Sequence, residues 1–202
     1  MVSEDNNPES SLLRERAIAP DEFQLQSFAV IDGGSSVLVA APTSSGKTLV
    51  AEYAIERTLA TGKTVVYTTP IKALSNQKFK DLSKWLGKDQ VGLLTGDNAI
   101  RPEANVVVMT TEVLRNMIYA DSPALTDLGL VVLDEVHFLQ DPYRGPVWEE
   151  VIMQLPSASR LVCLSATVSN AHEVAGWIQE VHGDCEAIIE MTRPVELHDH
   201  FL

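Results

Sequence analysis

Six short runs of β-branched and apolar residues, at positions 36–40, 64–68, 91–94, 105–109, 129–133 and 160–164, recur along the chain with helical stretches between most of them. Segments such as Val37-Leu38-Val39 and Val131-Val132-Leu133 are apolar at consecutive positions, so neither face of the strand suits water. Strands buried on both faces and joined through helices belong to a parallel sheet that is covered on both sides. The expected fold is therefore α/β, with a mostly parallel central sheet between two helical layers. Periodicity and capping residues predict helices over 47–60, 71–86, 112–119 and 172–182.

With 202 residues and 45% hydrophobic content, the chain can build one sizeable core, and a single domain is expected over residues 17–194. Residues 1–16 are polar, carry Pro8 and a serine pair, and are expected to form a frayed tail. The net charge of -13 excludes a general electrostatic grip on nucleic acid or on an anionic membrane surface. Any polyanion must be held locally, by helix N-termini and a few placed basic groups. Cys163 and Cys185 form no C-x-x-C pair, which suits a reducing, cytoplasmic setting. No apolar run approaches the roughly 18 residues that cross a bilayer, and residues 1–8 have no basic or apolar leader character, so no membrane association is expected.

The chemistry concentrates where strands end. After the first strand comes Ala41-Pro42-Thr43-Ser44-Ser45-Gly46-Lys47-Thr48, which then opens a helix. In that strand-loop-helix context small residues let backbone N–H groups face the β- and γ-phosphates of a nucleotide, Lys47 neutralises them, and Thr48 offers a hydroxyl to Mg2+. Asp134-Glu135 follows the apolar strand at 129–133. A divalent ion needs hard oxygen ligands and an attacking water needs orienting and deprotonating, which assigns Asp134 to the metal and Glu135 to the water. His137 serves neither task. Ser165-Ala166-Thr167 ends another strand, and its hydroxyls are positioned to bond His137 or a mobile neighbour and so to report the nucleotide state.

Residues 41–48, 134–137 and 165–167 resemble motifs I, II and III of superfamily 2 helicases, in that order. The spelling Asp134-Glu135-Val136-His137 narrows the likeness to the DEVH-box group. Residues 69–77, 94–97, 110–117 and 144–150 further resemble the superkiller-like DExH helicases, which include exosome-associated RNA helicases, and the similarity runs from about residue 21 to residue 194. It implies a three-layer RecA-like P-loop NTPase domain that uses ATP and Mg2+, with Lys47, Asp134, Glu135 and His137 as catalytic residues. Asp21-Glu22-Phe23-Gln24 resembles the family's Q motif, which implies that Gln24 reads the adenine edge. Phe23 is either a nucleotide contact or a core aromatic at a helix start. Ile18 stands where such helicases often carry a base-stacking aromatic.

The resemblance also implies that Pro70, Lys72, Thr95, Gly96, Thr111 and Arg115 lie along a single nucleic-acid strand, RNA rather than DNA. Helices expected to begin at Pro70 and Thr111 offer free N–H groups to phosphates, which reconciles polyanion binding with the acidic charge. Arg115 has the alternative of an ordinary helix-surface charge. Ser165 and Thr167 would couple nucleotide state to strand binding. A second RecA-like domain is implied, with residues 195–202 starting the linker to it and the present chain being a monomeric first motor domain of low intrinsic activity. The competing classes are a DNA helicase of the same superfamily, a P-loop switch or small-molecule kinase, and a nucleotide-dependent RNA clamp. His182, Cys185, His198 and His200 match no common zinc spacing, and Trp85, Trp148 and Trp177 are expected in the core or an interface.

Overall fold

The structure is a computed structural model, and it describes residues 10–17, 19–166 and 170–191. Among these, β1 (Ser36–Ala40), β2 (Thr64–Thr69), β3 (Val91–Thr95), β4 (Asn98–Ile100), β5 (Val106–Thr110), β6 (Leu128–Leu133), β7 (Arg160–Ser165) and β8 (Cys185–Ile189) form one sheet. Their order is β4-β3-β5-β2-β6-β7-β1-β8. Every pairing is parallel except that of β3 with β4, a hairpin in which Thr95 pairs with Asn98.

The consecutive apolar residues of the strands divide between two cores, as the period of two requires. Val37 and Val39 of β1 face a layer built by α1 (Ser11–Arg16), α2 (Glu22–Asp32), α3 (Lys47–Leu59) and α4 (Lys72–Leu86). Leu38 and Ala40 face the opposite layer of α5 (Thr111–Tyr119), α6 (Gly145–Gln154) and α7 (Ala171–Val181). The same division holds on β6, where Leu130 and Val132 join the first core and Val131 and Leu133 the second. Each fully buried Val, Leu or Ile contributes about 1.5–3 kcal/mol, so this double alternation is the main source of the fold's stability. The expected mostly parallel α/β sandwich is what the chain forms.

Several boundaries and elements differ from expectation. Of the tail expected over residues 1–16, residues 1–9 lie outside the described residues, whereas Ser11–Arg16 is helical and buries Leu12 and Leu13 against the first core. Its polar residues have a partner: the hydroxyls of Ser10 and Ser11 both donate to the Glu56 carboxylate on α3. Helix α4 begins at Lys72, with Ile71 as its cap, so Pro70 precedes the helix and is itself buried. Strands β4 and β8, short and at opposite sheet edges, were not anticipated. Helices α1, α2 and α6 were likewise absent from the expected set. Trp148 is fully buried and Trp85 and Trp177 pack partly buried on the two cores. Ile18, Thr167 and residues 192–202 lie outside the described residues. None of the helices described is long and apolar enough to cross a membrane.

Candidate functional site

Because seven of the strands run parallel, their C-terminal ends share one edge of the sheet, where open α/β sheets bind their ligands. The sheet order divides that edge. The loop 41–46 follows β1, Asp134-Glu135 follows β6, and Ser165 ends β7, so these three fall on β6-β7-β1. Pro70, Gly96 and Thr111 follow β2, β3 and β5, which are the adjoining strands on the other side.

The loop 41–46 turns sharply into α3. Ser44 and Gly46 both have left-handed backbone, at φ +66° and +84°. The Lys47 ammonium donates to the carbonyls of Ala41 (2.6 Å) and Pro42 (2.8 Å), which folds the side chain back over the loop. Burial lowers its pKa from the ordinary lysine value, against the opposing pull of the Glu135 and Asp134 carboxylates. Thr43, Ser44, Gly46, Lys47, Thr48, Asp134 and Glu135 all line one open cavity of about 430 Å³. Pro42 contributes its carbonyl, and Ser45 is buried with an unpartnered hydroxyl.

Across the cavity, Asp134 is fixed by three hydrogen bonds. Its carboxylate accepts from the Tyr67 hydroxyl (2.8 Å, Oδ2) and the Glu135 N–H (3.0 Å, Oδ1), and its own N–H donates to the Thr68 carbonyl (3.1 Å). Tyr67 is completely buried, and burial together with the Asp134 charge pushes its phenol well above the ordinary value, so it remains a donor. Glu135 has left-handed backbone (φ +56°) and opens a 3₁₀ turn, Val136–Gln140. Its Oε2 lies 3.3 Å from His137 Nδ1, although the two are not aligned as a hydrogen bond. The His137 ring stacks on Phe138 at 4.8 Å, and Phe138 stacks on Trp148 at 5.9 Å.

Thr48 and Asp134 present oxygen donors to the same cavity, which is the donor set that Mg2+ takes. The left-handed loop beside Lys47 suits a polyphosphate for the reason given by backbone nests, in which successive N–H groups converge on an anion. These residues therefore fit the groups that the sequence implies.

Other expected contacts differ. The Gln24 amide is committed within the protein: its Nε2 donates to the Gly46 carbonyl (3.1 Å) and its Oε1 accepts from the Asp21 N–H (2.9 Å). Gln24 thus ties α2 to the loop, leaving only its second amide hydrogen and one lone pair for a base. Phe23 is buried in the first core. The Ser165 hydroxyl is buried without a partner, so the expected bond to His137 is not made. On the neighbouring strands, Lys72 forms an ion pair with Asp97 (2.9 Å), and the Thr95 hydroxyl donates to the same Asp97 oxygen (3.2 Å). Arg115 reaches Glu150 of α6 at 3.7 Å. Thr111 is buried with its hydroxyl unpartnered, while Gly96 is exposed.

Sequence reasoning missed Tyr67, Gln77 and Lys78. The stripe Leu74, Gln77, Lys78 and Asp81 on α4 lines the same cavity, a spacing of i, i+3, i+4 and i+7 that puts one helix face on the site. Lys78 Nζ sits 5.1 Å from the centre of the Tyr67 ring.

A model of the DEAD/DEAH box helicase family matches residues 21–174. The chain is 59% identical over 182 residues to the probable helicase HelY of Mycobacterium tuberculosis, covering 90% of this chain and 20% of that protein. It is 51% identical over 187 residues to the chloroplastic DExH-box ATP-dependent RNA helicase DExH15 of Arabidopsis thaliana, covering 90% of this chain and 16% of that protein. Among solved structures, Mycobacterium smegmatis helicase Lhr bound to ssDNA and AMP-PNP superposes with a TM-score of 0.74 at 28% identity, over 90% of this chain and 28% of that one. The chain thus spans a fifth or less of the length of these two curated relatives.

Proposed function

The chain belongs to the DEAD/DEAH box helicase family, and from that premise we propose that it is the first ATP-binding motor domain of a larger helicase that couples ATP hydrolysis to movement along nucleic acid, RNA in preference to DNA. The observation that carries this is the convergence of Lys47 with Asp134 and Glu135 on one cavity at the carboxyl edge of the sheet. In this role the N–H groups of the loop 41–46 and the Lys47 ammonium hold the β- and γ-phosphates, and Glu135 orients and deprotonates the attacking water. Thr48 and Asp134 would hold a magnesium ion, which would neutralise phosphate charge. The edge of β2, β3 and β5 carries the strand, with Pro70, Lys72, Thr95, Gly96, Thr111 and Arg115 along its path.

A set of contacts joins the two halves. From Glu135 it passes to His137, through the stacked Phe138 and Trp148 to α6, and through Glu150 to Arg115. In this reading His137, beside the catalytic Glu135, also joins the nucleotide site to that path, and Ser165 and Thr167 act in coupling. The preference for RNA is supported by the relative at 51% identity that is named an RNA helicase. A DNA track is the second reading, favoured by the likeness to a helicase bound to ssDNA. A second RecA-like domain completes the nucleotide site, and the parent protein works in the cytoplasm, with this domain monomeric on its own. Arginines from such a partner raise NTP hydrolysis by about a thousandfold or more, so this domain alone hydrolyses ATP slowly.

The test is the ATPase rate of the protein containing this chain and its second motor domain, with and without single-stranded RNA and DNA oligonucleotides. Stimulation by RNA beyond that by DNA supports the proposal. An ATPase indifferent to both strands rules out the motor and leaves a P-loop switch or kinase.

A further inference from the structure

The two halves of the carboxyl edge meet where β2 lies beside β6; the Thr68 hydroxyl crosses that seam to the Val132 carbonyl, and one hydrogen bond between two side chains crosses it as well. The Tyr67 hydroxyl on β2 donates to Asp134 Oδ2 at the end of β6, at 2.8 Å. The register places Tyr67 opposite Val132, two residues before Asp134, so the phenol ring reaches along the strand direction to meet the carboxylate. Tyr67 is locked in place, being 1% exposed, packed in the first core and overlain by Lys78. The second carboxylate oxygen is fixed by the Glu135 N–H. Asp134 therefore has no freedom to rotate without breaking a bond to a buried donor.

We propose that Tyr67 is the positioning residue of the metal site: its hydroxyl fixes the rotamer of Asp134 so that the carboxylate presents one oriented lone pair to the magnesium ion of a bound nucleotide. The proposal rests on the reading of Asp134 as the metal's carboxylate. Ligating carboxylates are commonly held by such outer hydrogen bonds, and their loss typically weakens metal affinity by about 10- to 100-fold. Tyr67 also belongs to β2, the strand that runs on into Thr69, Pro70 and Lys72. A shift of that strand on nucleic-acid binding would thus be felt at the carboxylate through the Tyr67 hydroxyl and at the Asp134 backbone through the Thr68 carbonyl.

The test uses Tyr67→Phe, which removes one oxygen and keeps the ring in its packed site. Affinity of the 202-residue chain for a fluorescent ADP analogue is measured across a Mg2+ titration and again in EDTA. Tyr53→Phe is the matched control, since the Tyr53 hydroxyl donates to Asp32 at 2.7 Å within the same core and away from the cavity. The expected result is a Mg2+ titration displaced by about tenfold or more in Tyr67→Phe, with the EDTA affinity unchanged and Tyr53→Phe like the wild type. A Tyr67→Phe titration that overlays the wild type, or an equal loss with and without Mg2+, overturns the positioning role. Asp134→Asn separates the two readings: if it moves the Mg2+ titration while Tyr67→Phe does not, only the Tyr67 role falls. If Asp134→Asn leaves the titration unmoved, the metal reading of Asp134 falls as well.

Discussion

The side-chain amide of Gln24 donates to the carbonyl of Gly46 at 3.1 Å, so the first long helix holds the phosphate loop through a residue that a sequence pattern alone would assign to the base. Gly46 is required at that position twice over. Its backbone is left-handed at φ +84°, and a Cβ there would lie 2.7 Å from the Gln24 nitrogen. Left-handed backbone costs a non-glycine residue about 1–2 kcal/mol, and displacing Gln24 also strips the Asp21 N–H of its acceptor. Gly46→Ala is expected to lower the urea midpoint and to weaken ADP binding by about tenfold, a difference of about 1.4 kcal/mol. Unchanged values of both would show that the loop re-forms without this contact.

The architecture was legible because the strands carry apolar residues on both faces, a pattern that only a covered parallel sheet satisfies. The loop 41–48 and Asp134-Glu135 were legible for a related reason, since each follows such a strand. Tyr67 was not, because in a run of Thr64 to Thr69 a tyrosine is an ordinary strand residue, and its partner is 67 positions away. Strand β4 is three residues long, and its Gly96-Asp97 turn was absorbed into an expected nucleic-acid contact although it is also a hairpin signal. Strand β8 closes an edge and is only half-buried along most of its length, so it lacks the continuous apolar signature of the central strands. The commitment of Gln24 to the loop could not be foreseen, since an amide's partner is decided by three-dimensional neighbours.

Asp97 engages both Lys72 and Thr95. Hydrogen bonds from Lys72 and then Thr95 hold its carboxyl below the ordinary aspartate range, so the pair persists throughout neutral pH. On the proposed strand path, a phosphate approaching these groups would compete with that carboxylate. Asp97→Asn is accordingly expected to tighten binding of a fluorescein-labelled single-stranded oligonucleotide by about twofold, the scale of an exposed ion pair. Fluorescence anisotropy at two salt concentrations checks it. Weaker binding in the variant would mean that Asp97 orients Lys72 for the strand instead of masking it.

Trp148 anchors α6 at the end of the aromatic stack, fully buried and with its indole N–H unpartnered. Two substitutions there should differ sharply. Trp148→Ala opens a large cavity between α6 and the sheet and is expected to cost about 3–5 kcal/mol in urea denaturation. Trp148→Phe keeps a ring beside Phe138 and removes an unsatisfied donor, so its cost should stay below about 1.5 kcal/mol. Equal losses would show that the indole nitrogen has a partner that stabilises it.

Helix α1 is attached through Glu56, and its docking should therefore respond to acid. Burial on its own would raise the Glu56 carboxyl, but the hydroxyls of Ser10 and Ser11 and the N–H groups of Leu12 and Ser11 bond its charged form and bring it below the ordinary value. For a carboxyl depressed in the folded state, the stabilising contribution is complete above the unfolded pKa of about 4.3 and is lost as pH falls through the lower folded value. The Leu12 N–H donates to Glu56 at 3.1 Å and Leu12 is 1% exposed, so its amide resonance reports the docking directly. In a pH titration followed by amide NMR, the Leu12 and Leu13 resonances are expected to hold their positions at neutral pH and to move only below the ordinary glutamate range, ahead of global unfolding. Glu56→Gln should shift these resonances already at neutral pH and abolish the acid transition. Retention of that transition in the variant would place the acid-sensitive contact elsewhere and leave Leu12 and Leu13 held by their apolar packing alone.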